Sequence, residues 1–473
     1  MEHYELIVIG SGPAGEKAAV KAAYFGHRVA LIEREPVFGG AGVNTGTLPS
    51  KTLKETALYL SGKYDKGLFG IDRTVAGKSS LETFMYRKNY IMRTESEEVH
   101  RNLLRHKVDI YHGVASFQDK NTLHISGHKE ISLTADFIMI ATGSYPFHPA
   151  NIPFDHKRVH DSDSILNITE LPTSIAVLGA GVIGCEYATI FSTMGAKVFL
   201  INRTDSILPF IDQEIIRKFL EQMQHDGIDL MFNKNIVSVE APANDHEPLH
   251  IKLESGEILH VDMFLFAAGR NGCTQDLKLA NVGITPTKRE TITVNEHYQT
   301  NVANIYAVGD VIGFPALAST SMDQGRVAVS HIFQTKDLEQ IARILPYGIY
   351  TIPEISCAGL NEEEAKEQNL DYCIGVARHC DLPRGKIMGA QHGMLKLIFG
   401  KQDLVVYGVH IMGHLATELI HHGLGLIESK TTLLQIIGKV YNFPTLHDLY
   451  KYAAYDGLGN VAGHNVKHEV TAT

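Results

Sequence analysis

A glycine fingerprint that occurs twice constrains this chain more than any other feature. An apolar run over residues 4–9 leads straight into Gly10-Ser11-Gly12-Pro13-Ala14-Gly15. An alanine-rich stretch follows to about residue 25, then an apolar run over residues 28–32 that ends in Glu33. The same order returns at residues 174–178, Gly179-Ala180-Gly181-Val182-Ile183-Gly184, and residues 197–201, this time ending in Asn202-Arg203. The spacing from Gly10 to Glu33 equals that from Gly179 to Asn202, 23 residues. In such a strand–turn–helix unit the first glycine makes the turn and the second admits a pyrophosphate. The third lets helix and strand pack, and the helix N-terminus offers amides to the anion. An internal repeat of the unit predicts two Rossmann-like domains in an α/β protein, each holding a dinucleotide.

The two copies differ where they would meet the ribose. Glu33 can accept hydrogen bonds from ribose hydroxyls and would repel a 2′-phosphate. Asn202 removes that repulsion, and Arg203 adds a donor for a phosphate; the alternative is that Arg203 is a solvated loop cation. Two further apolar runs, 136–140 and 262–267, end in the small residues Ala141-Thr142-Gly143 and Ala268-Gly269-Arg270. Strand ends of this kind are where open parallel sheets dock ligands.

Between and beyond these units the pattern changes. Gly39 to Lys51 is a glycine-rich loop running into a helix. Residues 81–107 read as one long helix with a recurring apolar face. Residues 108–111 and 113–117 read as strands, and 122–126 with 130–134 as a hairpin. Residues 305–308 form a strand ending in Gly309-Asp310, and 317–333 a helix. From about residue 346 short strands (350–352, 354–359, 372–377, 393–399, 404–411) mix with helices, one of them started by Asn361 and three glutamates. This is an antiparallel α+β module, expected to form a subunit interface.

The 473-residue length implies two to four domains, and a net charge of −10 argues against nonspecific nucleic-acid binding. No apolar run is long and charge-free enough to span a bilayer. The first strand begins near residue 4, which leaves no room for a leader. The five cysteines are scattered without a CxxC pair, which fits free thiols in a reducing cytoplasm. His410, His414, His421 and His422 lack a clustered second ligand set, so no metal site is expected.

The Gly39–Lys51 segment resembles the redox-active segment of the flavin disulfide reductases, GG-x-C-x-N-x-G-C-x-P-S-K. Gly42 and Thr47 stand where the two cysteines would be. Together with both fingerprints, Ala141–Gly143, Ala268–Arg270 and the Gly309-Asp310 strand end, this makes the chain similar to that superfamily. Within it, the chain looks most like the soluble (Si-specific) pyridine nucleotide transhydrogenases. The resemblance implies FAD in a discontinuous domain (1–147 and 272–345), NAD(P) in 148–271, and dimerisation through 346–473, as a homodimer or larger homo-oligomer.

For FAD the resemblance points to Gly10, Ser11, Gly12, Pro13, Ala14, Gly15, Glu33, Arg34, Gly39, Gly40, Gly42, Thr45, Lys51 and Ala115. It adds Ala141, Thr142, Gly143, Gly309, Asp310, Leu317 and Ala318. Asp310 would bind a ribityl hydroxyl, and the helix beginning at Leu317 would face the flavin. For the nicotinamide nucleotide it points to Gly179, Gly181, Val182, Ile183, Gly184, Glu186, Asn202, Arg203 and Gly269. Lys51 and Glu186 would be the polar pair beside the reacting rings; a purely structural interdomain salt bridge is the alternative.

The departures from the family decide the chemistry expected. Both cysteines are gone, and Phe443 stands where thiol-handling members carry an acid–base histidine before Pro444. A phenyl ring has no titratable proton, and a thiol reductase cannot run without its thiols. His447, four residues on, is a weak substitute. What is left is hydride exchange between NADPH and NAD+, ping-pong through FAD with no disulfide relay. The other readings are an NAD(P)H diaphorase that reduces quinones, and a non-catalytic flavoprotein subunit.

Overall fold

The computed structural model describes residues 1–62, 81–244, 247–390 and 392–464, with the backbone alone of Thr83. The expected variable stretch up to residue 80 and the polar tail after Gly463 lie largely outside the described residues. The chain opens with β1 (Glu2–Ile9), α1 (Pro13–Tyr24) and β2 (Val29–Glu33). Then come the short α2 (Gly40–Asn44), α3 (Thr47–Ser61) and the long α4 (Leu81–Arg105). Strands β3 (Asp109–His112), β4 (Val114–Phe117), β5 (Thr122–Ser126) and β6 (Ile131–Ile140) follow.

The sequence suggests two strands, 130–134 and 136–140, where the molecule has the single strand β6. Its first half pairs antiparallel with β5, and from Leu133 onward it pairs parallel with β1. Asp136 does not interrupt it, because that side chain points to solvent and meets His3 at 3.3 Å while the backbone stays in the sheet.

Next come β7 (Ser144–Pro146), β8 (Val159–Asp161), β9 (Ser174–Leu178), α5 (Val182–Thr193) and β10 (Lys197–Ile201). They are followed by α6 (Gln213–His225), β11 (Ile228–Met231), β12 (Ile236–Glu240), β13 (Leu249–Leu253), β14 (Ile258–Val261), β15 (Met263–Phe266) and β16 (Arg270–Gly272). Strand β17 (Ile305–Ala307) returns to pair parallel with β6, and α7 (Ala318–Phe333) packs on α1 so closely that a Cβ on Gly325 would strike the Ala14 carbonyl.

Two similar layers result. The first sheet runs β3-β2-β1-β6, with β17 beside β6 and the β4–β5 hairpin at its edge. The second runs β11-β10-β9-β15-β8, with the antiparallel β12-β13-β14 against it. The inner strands β2, β9 and β15 are almost wholly buried runs, as parallel strands covered on both faces must be, while the edge strands β3 and β11 are partly exposed. Where the chain passes from the first layer to the second and back, β7 and β16 pair with each other, Arg270 opposite Pro146 and Gly272 opposite Ser144.

The last module holds β18 (Tyr347–Ile349), β19 (Glu354–Gly359), α8 (Glu362–Glu367), β20 (Tyr372–Arg378), α9 (Pro383–Ile387), β21 (Met394–Gly400) and β22 (Val406–Gly413). Helices α10 (Ala416–Glu428), α11 (Leu433–Gly438) and α12 (Asp448–Val461) complete it. Its sheet is ordered β18-β19-β22-β21-β20. The strand expected at 350–352 lies instead at Tyr347–Ile349. The amides of Tyr350 and Ile352 are taken by Glu186 (3.0 Å) and Thr189 (3.1 Å) of α5, so they are not free for a sheet. Asn361 starts α8 with a full capping box.

A buried charge cluster joins this module to the second layer. Lys396 of β21, fully buried, donates to Asp212 (2.9 Å), the N-cap of α6, to Glu214 (3.0 Å), and to Glu362 of α8. Asp212, Glu214 and Glu362 are the acidic group among the described residues compact enough to suggest a cation site, and the lysine ammonium already sits among them. All five cysteines are free.

Candidate functional site

The first fingerprint folds into a cradle. A Cβ on Gly15 would run into the Gly10 carbonyl oxygen, so only glycine lets α1 start against the end of β1. Helix α1 begins at Gly12 with no side-chain cap, and α2 begins at Gly39 likewise. Pro13 itself carries no N–H and the Gly39 amide is taken by the Ser11 hydroxyl, but the other first-turn amides of these helices lack a side-chain cap and are available to an anion. The two helix starts touch: a Cβ on Gly40 would lie 2.8 Å from the Gly12 Cα, and one on Gly42 2.7 Å from the Pro13 ring.

Glu33, buried at the end of β2, ties these loops together. One carboxylate oxygen accepts from the Ser11 amide (2.8 Å) and hydroxyl (2.5 Å), and the other from the Glu35 amide (2.9 Å). The Ser11 hydroxyl oxygen accepts in turn from the Gly39 amide (3.1 Å). A carboxylate has about four acceptor positions, so one stays open for a ribose hydroxyl. The site thus fits a dinucleotide: two uncapped helix starts, a glycine-lined gap that any side chain would fill, and a partly engaged buried carboxylate.

The second fingerprint repeats the geometry. A Cβ on Gly184 would strike the Gly179 carbonyl, and α5 starts at Gly181 without a side-chain cap. Asn202 Oδ1 accepts from the Ala180 amide at 3.3 Å, as Glu33 does from Ser11. Its amide nitrogen donates to the carbonyls of Thr204 (3.1 Å) and Ser206 (3.0 Å). Asn202 is thereby committed to shaping its own loop, and Arg203 is the group that remains exposed. A pocket lined by Ser162, Gly181, Val182, Ile183, Phe266, Ala267, Gly269 and Arg270 opens beside this helix start.

Lys51 and Glu186 meet, although 135 residues separate them. Lys51 Nζ lies 2.7 Å from each oxygen of Glu186, which is only 3% exposed. The same carboxylate accepts from the Ser50 hydroxyl (3.3 Å) and the Tyr350 amide (3.0 Å). The Lys51 ammonium also lies 5.0 Å from the Tyr350 ring centre, and burial raises the Tyr350 phenol above its ordinary value, so it stays protonated. One carboxylate thus joins α3, α5 and the C-terminal module. Close by, Lys54 donates to Glu354 (2.5 Å), whose other oxygen accepts from Thr417. Burial alone would lower the Lys54 pKa, but the adjacent Glu354 carboxylate outweighs it and the net shift is upward.

A second polar chain crosses between the layers. Arg270 donates to Asp163 and Ser162 (2.9 Å each) and to the Ser144 hydroxyl (2.9 Å), which donates to Asp310 (3.0 Å). Sequence reasoning had Arg270 only in the strand echo; it missed Ser144, Ser162, Asp163 and Tyr350, which carry no motif and are placed by folding alone. Thr142 donates to the Cys273 carbonyl (2.7 Å), and the Gly143 carbonyl accepts from the Cys273 amide, so these strand-end residues anchor the returning chain. Helix α7 begins at Leu317–Ala318 without a side-chain cap. Thr45 donates its amide to Ala41 at the end of α2. Arg34 is half-exposed, 3.7 Å from Asp276. Ala115 packs in the core of the first layer, paired through its backbone with Ile125.

The thiol positions are empty of thiol chemistry. Thr47 is exposed on α3, and Phe443 is 68% exposed. His447 sits at the start of α12 among His422, Tyr441 and Tyr450 of its own module. Burial pushes His422 down to about 4.

A two-layer dinucleotide fold with a helix-borne Lys–Glu pair between the layers defines a class of nucleotide-dependent redox protein. The chain belongs to the pyridine nucleotide-disulphide oxidoreductase family, whose model matches residues 4–325, with its dimerisation domain matching 345–454. It is 39% identical to the soluble pyridine nucleotide transhydrogenase of Mycobacterium tuberculosis over 98% of this chain and 99% of that one. It is equally similar, 39% with the same coverage, to that of Chromohalobacter salexigens. Among solved structures it superposes on the HOCl-induced flavoprotein disulfide reductase RclA of Escherichia coli with a TM-score of 0.87 and 25% identity, covering 96% of this chain and 99% of that one. LpdA of Mycobacterium tuberculosis shares the fold at a TM-score of 0.87 and 23% identity, with the same coverage. No helix among the described residues is long and apolar enough to cross a membrane.

Proposed function

We propose that this chain is an FAD-dependent transhydrogenase that moves hydride between NADPH and NAD+ at one site, with no disulfide relay. The carrying observation is the coincidence of two complete dinucleotide cradles with Gly42, Thr47 and Phe443 at the three positions thiol chemistry would need. FAD is held by residues 1–147 and 272–345, through the Gly10–Gly15 turn, Glu33, the Gly39–Gly42 loop, Asp310 and the start of α7. Residues 148–271 hold the nicotinamide nucleotides in turn, and residues 346–473 join two copies in the cytoplasm.

Bound FAD supplies a two-electron carrier for hydride. The chain's own residues do the rest. The glycine cradles orient the pyrophosphates. Glu186, locked by Ser50 and the Tyr350 amide, keeps the Lys51 ammonium in a fixed place, where its charge favours an electron-rich ring. Arg270 and Ser144 brace the two layers across β7 and β16.

The test is anaerobic. The flavin-loaded protein is reduced with one equivalent of NADPH, and thio-NAD+, whose reduced form absorbs apart from NADPH, is then added. Fast bleaching, fast reoxidation and stoichiometric thio-NADH support the proposal. Bleaching without reoxidation by the analogue, but with reoxidation by a quinone, replaces it with a diaphorase. No bleaching replaces it with a non-catalytic flavoprotein.

A further inference from the structure

We propose that Asn235 and Glu254 set the nucleotide specificity of the second dinucleotide site by positioning Arg203 with its charge uncompensated, ready for a 2′-phosphate. The inference rests on the reading of residues 148–271 as the nicotinamide nucleotide domain. Arg203 directly follows the residue that closes the fingerprint, where a ribose 2′-substituent is met. Its Nε donates to Asn235 Oδ1 at 3.1 Å, and among the described residues no carboxylate lies within ion-pair distance of it. A neutral acceptor therefore fixes the guanidinium without consuming its charge.

The orientation of the Asn235 amide is decided by its other end. Its nitrogen donates to Glu254 Oε2 at 2.9 Å, so the oxygen must face Arg203. Glu254 stands at the tip of the β13–β14 hairpin, and its amide donates to the Asn235 carbonyl at 3.0 Å, which holds the pair in register. One residue earlier, the Lys234 amide donates to the Asn202 carbonyl at 3.0 Å. Three loops are thus stitched around one exposed arginine. The negative charge of Glu254 is kept one amide away from it.

An arginine side chain gives up considerable rotamer freedom when it binds a phosphate, and a preset guanidinium gives up less. Loss of the guanidinium itself is expected to weaken a 2′-phosphate contact about tenfold to hundredfold. Asn235→Asp places a carboxylate against Arg203 and is expected to cost about tenfold through competition with the phosphate. Asn235→Ala frees the guanidinium and is expected to cost about threefold, with Asn235→Gln restoring part.

The experiment titrates the flavin-loaded protein with adenosine 2′,5′-bisphosphate and with AMP by calorimetry at low salt, for wild type, Arg203→Ala, Asn235→Asp, Asn235→Ala, Asn235→Gln and Glu254→Ala. The ratio of KM for NADPH to KM for NADH is measured alongside. The expected result is a wild-type preference for the 2′-phosphorylated probe that Arg203→Ala removes and Asn235→Asp cuts about tenfold, with the KM ratio rising in step. A merely structural role would shift both probes and both KM values together. If wild type binds both probes alike, the 2′-phosphate reading of the site is what fails. If wild type prefers the 2′-phosphate, Arg203→Ala abolishes the preference and the Asn235 and Glu254 variants keep it, the positioning inference alone is overturned. Should an Asn235 variant fail to fold, Glu254→Ala on the exposed hairpin tip carries the test, because it removes the acceptor that orients the Asn235 amide, with a smaller expected loss of about twofold.

Discussion

Replacing Lys396 by methionine removes the buried ammonium that sits among three carboxylates, one buried and two partly exposed. The oxygens of Asp212, Glu214 and Glu362 lie within 4.8 Å of one another. At an effective dielectric of about 20, two unit charges at that separation repel by about 3 kcal/mol. Glu214 and Glu362 are partly exposed, which softens the repulsion, while Asp212 is buried. Breaking a buried ion pair from one side costs about 3–5 kcal/mol, and that range is expected here at neutral pH.

The pH dependence separates this account from simple loss of packing. Burial pushes Asp212 and Glu362 upward, but His410, Lys396 and hydrogen bonds hold Asp212 below the ordinary carboxylate range, and hydrogen bonds from Lys396 and Tyr372 with the Lys396 charge hold Glu362 there. Their contribution is present above the unfolded carboxyl values and is lost as pH falls through the depressed folded ones. Burial lowers Lys396, but the three carboxylates raise it above its ordinary value. Its contribution is present below the unfolded lysine value and is lost only as pH rises through the raised one. Wild type therefore keeps the full effect from about pH 5 to about pH 10. In Lys396→Met the acids repel, bind protons more readily, and relieve the strain on acidification. Thermal unfolding of the flavin-loaded protein should show a large deficit at pH 7.5 that narrows at pH 4.5. Adding Glu362→Gln should recover part of it at pH 7.5. A deficit that stays constant or widens toward acid would refute the electrostatic argument and leave packing as the cause.

Three further outcomes are expected. Glu186→Gln, which leaves Lys51 without a counter-charge, should slow NADPH-driven flavin bleaching about tenfold to hundredfold in stopped flow at unchanged FAD content per chain; equal rates would show the pair to be structural only. Gly42→Cys should lower the unfolding midpoint by the equivalent of about 1–3 kcal/mol, because its Cβ meets the Pro13 ring at 2.7 Å. It should also show no lipoamide or glutathione disulfide reduction, because Thr47 and Phe443 are unchanged. In the folded protein a thiol reagent at pH 8 should leave Cys185 and Cys357 unmodified, since burial raises both thiols, Cys357 to about 12; labelling of five thiols before unfolding would contradict their burial.

The sequence by itself determined the two dinucleotide layers, because their glycines are backbone requirements at fixed spacing. Gly15 must pass the Gly10 carbonyl, and Gly184 that of Gly179, whatever else the chain does. It also determined what chemistry is missing, since Gly42, Thr47 and Phe443 cannot carry thiol or proton-transfer work. Tertiary structure alone decided which polar groups meet. Lys51 and Glu186 lie on helices of different layers, and their 2.7 Å contact is anchored by an amide of Tyr350 from a third module. The Arg270–Ser144–Asp310 chain depends on β7 pairing with β16. The strand expected at 350–352 is absent for the same reason: its amides are claimed by Glu186 and Thr189, partners more than 160 residues away in sequence. Local pattern encodes backbone geometry. Contacts between side chains brought together from distant segments follow from packing, and no short window of sequence carries them.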